Sequence, residues 1–277
     1  MLGILISENE IFNLKENVPK KASLFRLKKT FLASISANTK GVKRCAVLFS
    51  GGLDSSLIAY AISKKIKDVK LYCVGLEGAK VFEKASKASA LLNLELKNIV
   101  MKEQTVLGSI GRISEIIKSN DKLQLQIAKP LYFCMRQIKS DDITTVFSGQ
   151  GADELFFGYD EFRRLLEKKE INYLDELRFY KLTNLYKNNL NRDLAIANHF
   201  LLDLRFPYLE KNFMLEALAF KPNENIFKND LMRKRVLRRL AKLLGLPEEL
   251  CLERKNAIQY GSGIAKLFSK AKISTKY

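Results

Sequence analysis

Four short apolar runs separated by helix-length stretches constrain the fold of this chain more than any other feature. Cys45-Ala-Val-Leu-Phe49, Leu71-Tyr-Cys-Val-Gly-Leu76, Leu94-Glu-Leu-Lys-Asn-Ile-Val100 and Thr144-Thr-Val-Phe147 have the length and composition of strands buried on both faces of a parallel sheet. Between them, Leu57, Ile58, Ala61 and Ile62, then Ala85, Ala88, Leu91 and Leu92, recur about one helical turn apart. Strand and helix in alternation predict an α/β fold with a doubly wound parallel sheet. Beyond about Tyr159 the strand signals fade into a largely helical C-terminal part, punctuated by Pro207, Pro222 and Pro247. Residues 1–40 read as a short N-terminal extension with a helix from Ser23 to Ser36, and residues 41–277 as one domain. The Lys- and Ser-rich end past Phe268 is expected to fray.

The chain carries 48 Lys+Arg against 30 Asp+Glu, a formal charge of +18, which draws in polyanions such as ATP, RNA or an acidic protein. Charge sign alone does not select RNA. The densest basic cluster, Arg233-Lys-Arg235, Arg238-Arg239 and Lys242, shares a segment with Met232, Val236, Leu237, Leu240, Leu243 and Leu244 at helical spacing. Most of its charges are therefore expected to face solvent. No apolar run approaches the ~18 residues of a membrane span, and the first residues do not form a secretory signal, so no membrane association and a cytoplasmic location are expected. Cys45, Cys73, Cys134 and Cys251 lack CxxC spacing and read as buried, reduced thiols, and His199 alone cannot build a His-rich metal site.

The strongest local pattern is Ser50-Gly-Gly-Leu-Asp-Ser-Ser56, directly after the first predicted strand and directly before the first predicted helix of that alternation. Gly51 and Gly52 permit a tight turn and close approach of backbone amides to phosphate, and the helix N-terminus adds unpaired N–H groups. Ser50, Ser55 and Ser56 supply hydroxyl donors, and Asp54 can hold Mg²⁺ against the phosphates. A glycine turn that merely starts a helix is the plainer alternative. The loop has neither the lysine of the GxxxxGK[ST] phosphate loop nor the GxGxxG spacing of dinucleotide folds.

In this strand–loop–helix setting SGGxDS resembles the PP-loop of the ATP pyrophosphatases, which cleave ATP between its α- and β-phosphates and include tRNA-modifying enzymes and NAD and GMP synthetases. Ser148-Gly-Gln-Gly-Ala-Asp-Glu-Leu-Phe-Phe-Gly-Tyr159 is similar to the SGEGADELFGGY segment of asparagine synthetases. Asp203-Leu-Arg-Phe-Pro-Tyr-Leu-Glu210 resembles their EARxPFLD segment, and Glu253-Arg-Lys-Asn-Ala-Ile-Gln-Tyr-Gly-Ser-Gly263 their RxK segment. The four matches keep the family order from about Arg44 to Gly263.

The resemblance implies adenylation of a carboxylate, aspartate in asparagine synthetases, followed by attack of ammonia and release of AMP. It implies Asp54 and Asp153 as Mg²⁺ ligands, Lys255 as the cation facing the α-phosphate, and Leu48, Val74 and Gly149 as the adenine pocket. Ser148 is expected beside the nucleotide, and Arg205 is either a clamp for the acid's carboxylate or a structural ion-pair partner. Two departures stand out. Leu2 follows Met1 where glutamine-using asparagine synthetases have their cysteine nucleophile, and about 40 residues precede the loop against the ~100 of a typical domain, so the chain is expected to use ammonia, either free or from a separate glutaminase subunit, rather than make it from glutamine. Gln150 stands where asparagine synthetases have Glu, and an amide cannot act as a base. The amine then arrives neutral, or Glu154 takes its proton, or the second half-reaction differs. A PP-loop enzyme adenylating tRNA or another RNA-linked substrate, and a non-catalytic nucleotide-binding scaffold, are the competing readings. The chain lacks CxxC cysteines and an appended RNA-binding domain to favour RNA, and Asp54, Asp153 and Lys255 argue against a scaffold.

Overall fold

Strand β1 (Arg44–Leu48) runs through the middle of a five-stranded sheet of order β3-β2-β1-β4-β5, every pairing parallel. The other strands are β2 (Asp68–Leu76), β3 (Glu95–Met101), β4 (Thr145–Phe147) and β5 (Asp203–Arg205). In this computed structural model, residues 14–168, 171–227, 232–253 and 261–270 are described. Strand order reverses on either side of β1, so the loops leaving the carboxyl ends of β1 and β4 diverge and open a crevice between them. Those two loops are the Ser50 and Ser148 segments.

Cys45, Ala46, Val47, Leu71, Cys73, Val146 and Phe147 in β1, β2 and β4 are essentially inaccessible, as apolar runs covered on both faces must be. Two expectations need correction. β3 is an edge strand whose residues are mostly half-buried or exposed, Val100 at 56%, because among the described residues no strand pairs with its outer side. Strand signals do not end at Tyr159, since Asp203–Arg205 forms β5 on the opposite edge. Three residues with one buried leave no readable alternation.

Helix α1 (Leu24–Thr39) begins at Ser23, whose hydroxyl accepts from the Arg26 N–H, and buries Leu27, Phe31 and Ile35 in the same core as the sheet. Residues read as an extension thus help support the crevice. α2 (Leu53–Ser63), α3 (Val81–Leu92) and α4 (Lys122–Ser140) follow β1, β2 and β3, the last after the short helices Glu103–Gly108 and Ile110–Ile117. Helix Ile171–Asn184 continues through a π-turn, Leu185–Leu190, into α5 (Asn191–His199), and the wider turn re-phases which side chains face inward. α6 (Arg235–Leu244) and α7 (Ile264–Lys270) complete the wall, with the Leu76 N–H at the end of β2 donating to the Ser262 carbonyl. Among the described residues no helix is long and apolar enough to cross a membrane.

All four cysteines are free and buried. Burial pushes the Cys45 and Cys73 thiols up to about 12, so neither is a reactive thiolate near neutral pH. His199 packs against Tyr132 and Phe200 at the end of α5.

Candidate active site

The Ser50 loop owes its shape to two glycines. Gly51 has φ +68°, and a Cβ there would lie 2.6 Å from the Lys84 carbonyl oxygen and 2.9 Å from the Ala85 Cα, so only glycine lets α3 pack this closely. Gly52 caps α2 with extended backbone and no side-chain hydrogen bond, leaving first-turn N–H groups available to an anion. Ser50 and Ser55 hydroxyls stand 3.4 Å apart across the loop. Tyr208, buried and stacked on Phe31, donates its hydroxyl to the Asp54 carbonyl at 3.0 Å and so fixes the first turn of α2.

The second loop comes in tightly against the first. The Ser148 N–H donates to the Arg205 carbonyl at 3.0 Å, and a Cβ on Gly149 would sit 3.2 Å from the Asp54 Cβ. The short helix Ala152–Leu155 then carries Asp153 and Glu154 into the crevice. Between the two aspartates lies the ammonium of Lys234, 2.5 Å from Asp54 Oδ2 and 2.6 Å from Asp153 Oδ1. Burial on its own would lower the pKa of Lys234, but the Asp153 and Asp54 carboxylates outweigh it and hold that pKa above the ordinary lysine value. This lysine is charged.

Gly158 makes room for the arrangement, since a Cβ there would fall 1.9 Å from Asp153 Oδ1 and 2.2 Å from Lys234 Cε. Beneath it Phe157, Phe162, Leu166, Leu174, Leu177 and Ile226 form a small second core. Arg178 lies over the Phe157 ring at 4.7 Å and donates to the Phe220 and Leu218 carbonyls, which holds that turn in place.

Glu154 is 1% exposed and accepts a hydrogen bond from the Tyr159 hydroxyl at 2.5 Å. Burial first, then the Glu154 and Asp153 carboxylates, raise the Tyr159 pKa, so the phenol remains a donor. On the opposite wall Gln150 Nε2 donates to Asp193 Oδ2 at 2.9 Å, while Arg192 Nε and Nη2 donate to Asp193 Oδ1 at 2.8 and 2.7 Å. Arg192 also reaches Gln124 Oε1 on α4 at 2.9 Å.

These groups share one cavity of about 950 Å³. Of the residues singled out in the sequence, Leu48, Ser50, Gly52, Asp54, Ser55, Val74, Ser148, Gly149, Gln150, Asp153 and Glu154 line it. Gly51 supports the loop from behind, and Ser56 is buried in α2 off the cavity wall. Of the two alternatives for Arg205, its contacts match the structural one: it is not on the cavity wall, and its guanidinium ion-pairs with Asp203 at 2.6 and 2.8 Å and donates to the Asn38 carbonyl. It ties β5 to α1 as a structural residue. Lys255 lies outside the described residues, while Glu253 and Gly261 on either side of it line the cavity.

The basic cluster also differs from the solvent-facing helix expected of it. Lys234 is 2% exposed, just before α6 and in the left-handed region at φ +60°, and Arg238 turns inward to the carbonyls of Arg233, Cys251 and Glu253. Lys234 and the Arg192–Asp193 pair are site residues to which sequence pattern assigned no role. The one available signal for Lys234 was a charge immediately ahead of an amphipathic helix, and that does not reveal a left-handed turn.

The asparagine synthase family matches residues 26–173 and 166–272. A Methanocaldococcus jannaschii protein provisionally named asparagine synthetase (glutamine-hydrolysing) 1 is 29% identical over 97% of this chain and 54% of its own length. Glutamine-hydrolysing asparagine synthetases of Zea mays and Arabidopsis thaliana are each 30% identical, over 68% and 70% of this chain and 33% and 35% of their own. The chain thus spans about half or a third of the relatives it matches. Among solved structures, an ammonia-dependent NAD synthetase from Campylobacter jejuni aligns with TM-score 0.45 and 15% identity, over 91% of this chain and 86% of that one.

Proposed function

This chain belongs to the asparagine synthase family, and from that membership we propose that it is an ATP-dependent, AMP-forming ligase that adenylates a carboxylate and passes the acyl group to an amine. The observation that carries this reading is the meeting of Asp54 and Asp153, from two separate loops, beside the uncapped N-terminus of α2. Two carboxylates beside open backbone amides suit a magnesium pyrophosphate leaving group better than they suit a structural turn.

Mg²⁺ is tested by its donor set. Asp54 Oδ1 is buried and has no hydrogen-bond partner among the described residues, and no group of three or more His, Cys, Asp or Glu surrounds it there. One or two carboxylates completed by phosphate oxygens is the usual Mg²⁺ arrangement in nucleotide enzymes, so Asp54 and Asp153 fit. Bound there, Mg²⁺ would neutralise charge on the departing pyrophosphate.

The amides around Ser50, Gly52 and Ser55 bind the β- and γ-phosphates, and Leu48, Val74 and Gly149 hold the adenine. The acid's carboxylate attacks the α-phosphate, the α–β bridging bond breaks, and pyrophosphate leaves. Lys255 supplies positive charge at that centre. Gln150, anchored through its nitrogen on Asp193, turns its Oε1 to the amine and orients it. The amine attacks the acyl carbon as the free base, the acyl–phosphate bond breaks, and the proton it sheds goes to the AMP phosphate. Glu154 is held in place by the hydrogen bond that it accepts from Tyr159.

We assign aspartate and ammonia as the acid and amine, with the ammonia delivered by a glutaminase. Pyrophosphate release from Mg·ATP, with aspartate and with or without ammonium, tests the assignment beside Asp54→Ala and Lys255→Ala. Release that needs aspartate, yields AMP and is lost in both variants supports it, with asparagine appearing once ammonium is added. ATP binding without release for any amino acid, with or without glutaminase, sinks it and moves weight to an RNA-linked substrate.

A further inference from the structure

The Asp54–Lys234–Asp153 bridge raises a question of charge that the ligase reading does not answer. The proposed Mg²⁺ ligands already have a counter-ion. Their closest oxygens lie 2.5 and 2.6 Å from one ammonium, and that lysine side chain is 3% exposed. A divalent ion entering between the same oxygens would stand within contact distance of a positive charge that water cannot screen, and repulsion at such range is severe. Both cations cannot sit there together unless new negative charge arrives with them.

We propose that Lys234 is a resident counter-ion that keeps free divalent cations out of the Asp54–Asp153 site, so that the metal enters only together with nucleotide. The proposal rests on the reading of those two aspartates as metal ligands and adds an order of binding to it. Nucleotide phosphates supply both things the exchange needs: negative charge for the metal, and an acceptor for the displaced ammonium next to the α2 N-terminus. A lysine suits the task because its ammonium rides on a flexible four-carbon stem and presents donors in any direction. Arg238 also feels the Asp54 carboxylate, but its guanidinium is engaged by the carbonyls of Arg233, Cys251 and Glu253. Gly158 completes the device, since any side chain there would displace both Asp153 Oδ1 and the lysine stem.

The test is Mn²⁺ uptake by the purified chain, read from the loss of the free-ion electron paramagnetic resonance signal, without nucleotide and with a non-hydrolysable ATP analogue. The wild type should take up no ion at this site alone and one ion with the analogue. Lys234→Met and Lys234→Gln should take up one ion without nucleotide, roughly tenfold or more tighter than the wild type. If a variant fails to fold, recovery of its fold by Mn²⁺ alone reads the same equilibrium and supports the proposal. Wild-type uptake without nucleotide that matches the variants overturns it, as do variants that neither bind nor are recovered by the ion. Failure of the analogue to bind the wild type at all would instead overturn the nucleotide-site reading beneath it.

Discussion

Gln150 donates its side-chain N–H to Asp193 at 2.9 Å, and Asp193 gives its other carboxylate oxygen to Arg192. The amide that replaces the family's glutamate is therefore held from behind by an anion with both oxygens engaged. In the proposed mechanism Asp193 acts through Gln150 as a positioning residue. In Asp193→Asn, pyrophosphate release should stay within about threefold of the parent while amide formation, losing the orientation of Gln150, slows on the order of 10²-fold. Partial-reaction assays separate the two steps, and an equal loss in both would mean a general structural defect.

Gly158→Ala should injure the site without touching the nucleotide loop. The added methyl overlaps Asp153 Oδ1 and Lys234 Cε, at 1.9 and 2.2 Å from the Cβ position. A stability loss of about 1–3 kcal/mol, as for overpacking elsewhere, should accompany weaker Mg·ATP binding. Thermal unfolding and calorimetric titration read the two effects.

Arg205 should matter to the fold and not to the acid substrate. Its guanidinium holds Asp203 and the Asn38 carbonyl, and its side chain is 16% exposed. Arg205→Ala should cost about 1–3 kcal/mol by denaturant titration, because it strips partners from Asp203 and the Asn38 carbonyl, with the KM for the acid unchanged. A rise in KM at constant stability would return Arg205 to the substrate.

Lys129, on the buried face of α4, sets a pH dependence of stability. Its Nζ has no hydrogen-bond partner among the described residues, lies 4.1 Å from the centre of the Phe268 ring on α7, and is lowered by burial to about 8. An unfolded lysine titrates near ~10.4, so between those values the unfolded chain binds more protons and stability must rise with pH. Below pH 8 the folded chain carries a buried charge at a cost on the order of a few kcal/mol. Lys129→Met should be more stable than the parent at pH 7 and should flatten the rise between pH 8 and 10 in urea titrations. A parent whose stability is flat across that window would contradict the buried ammonium.

Much of this architecture was written in the local pattern. Cys45 to Phe49, Leu71 to Leu76 and Thr144 to Phe147 correspond to β1, β2 and β4 because both faces of each are covered, and the glycine pairs after two of them marked the crevice. Burial of β3 was overread because edge position is a property of the whole sheet, and β5 is too short to carry a period. Lys234 was invisible for a different reason. Its inward direction is set by a left-handed turn and by two carboxylates far away in the chain, neither of which leaves a mark on its neighbours. Arg205 sat in the right motif, and its partner Asp203, two residues before it, decided its role.

The Asp54–Lys234 contact spans 180 residues of sequence. On a ribosome adding ~5–20 residues per second, Asp54 emerges roughly 10–40 seconds before the ammonium that neutralises it. Through that interval the Asp54 carboxylate lacks the counter-ion that it has in the folded chain, and the late basic segment brings that charge in last.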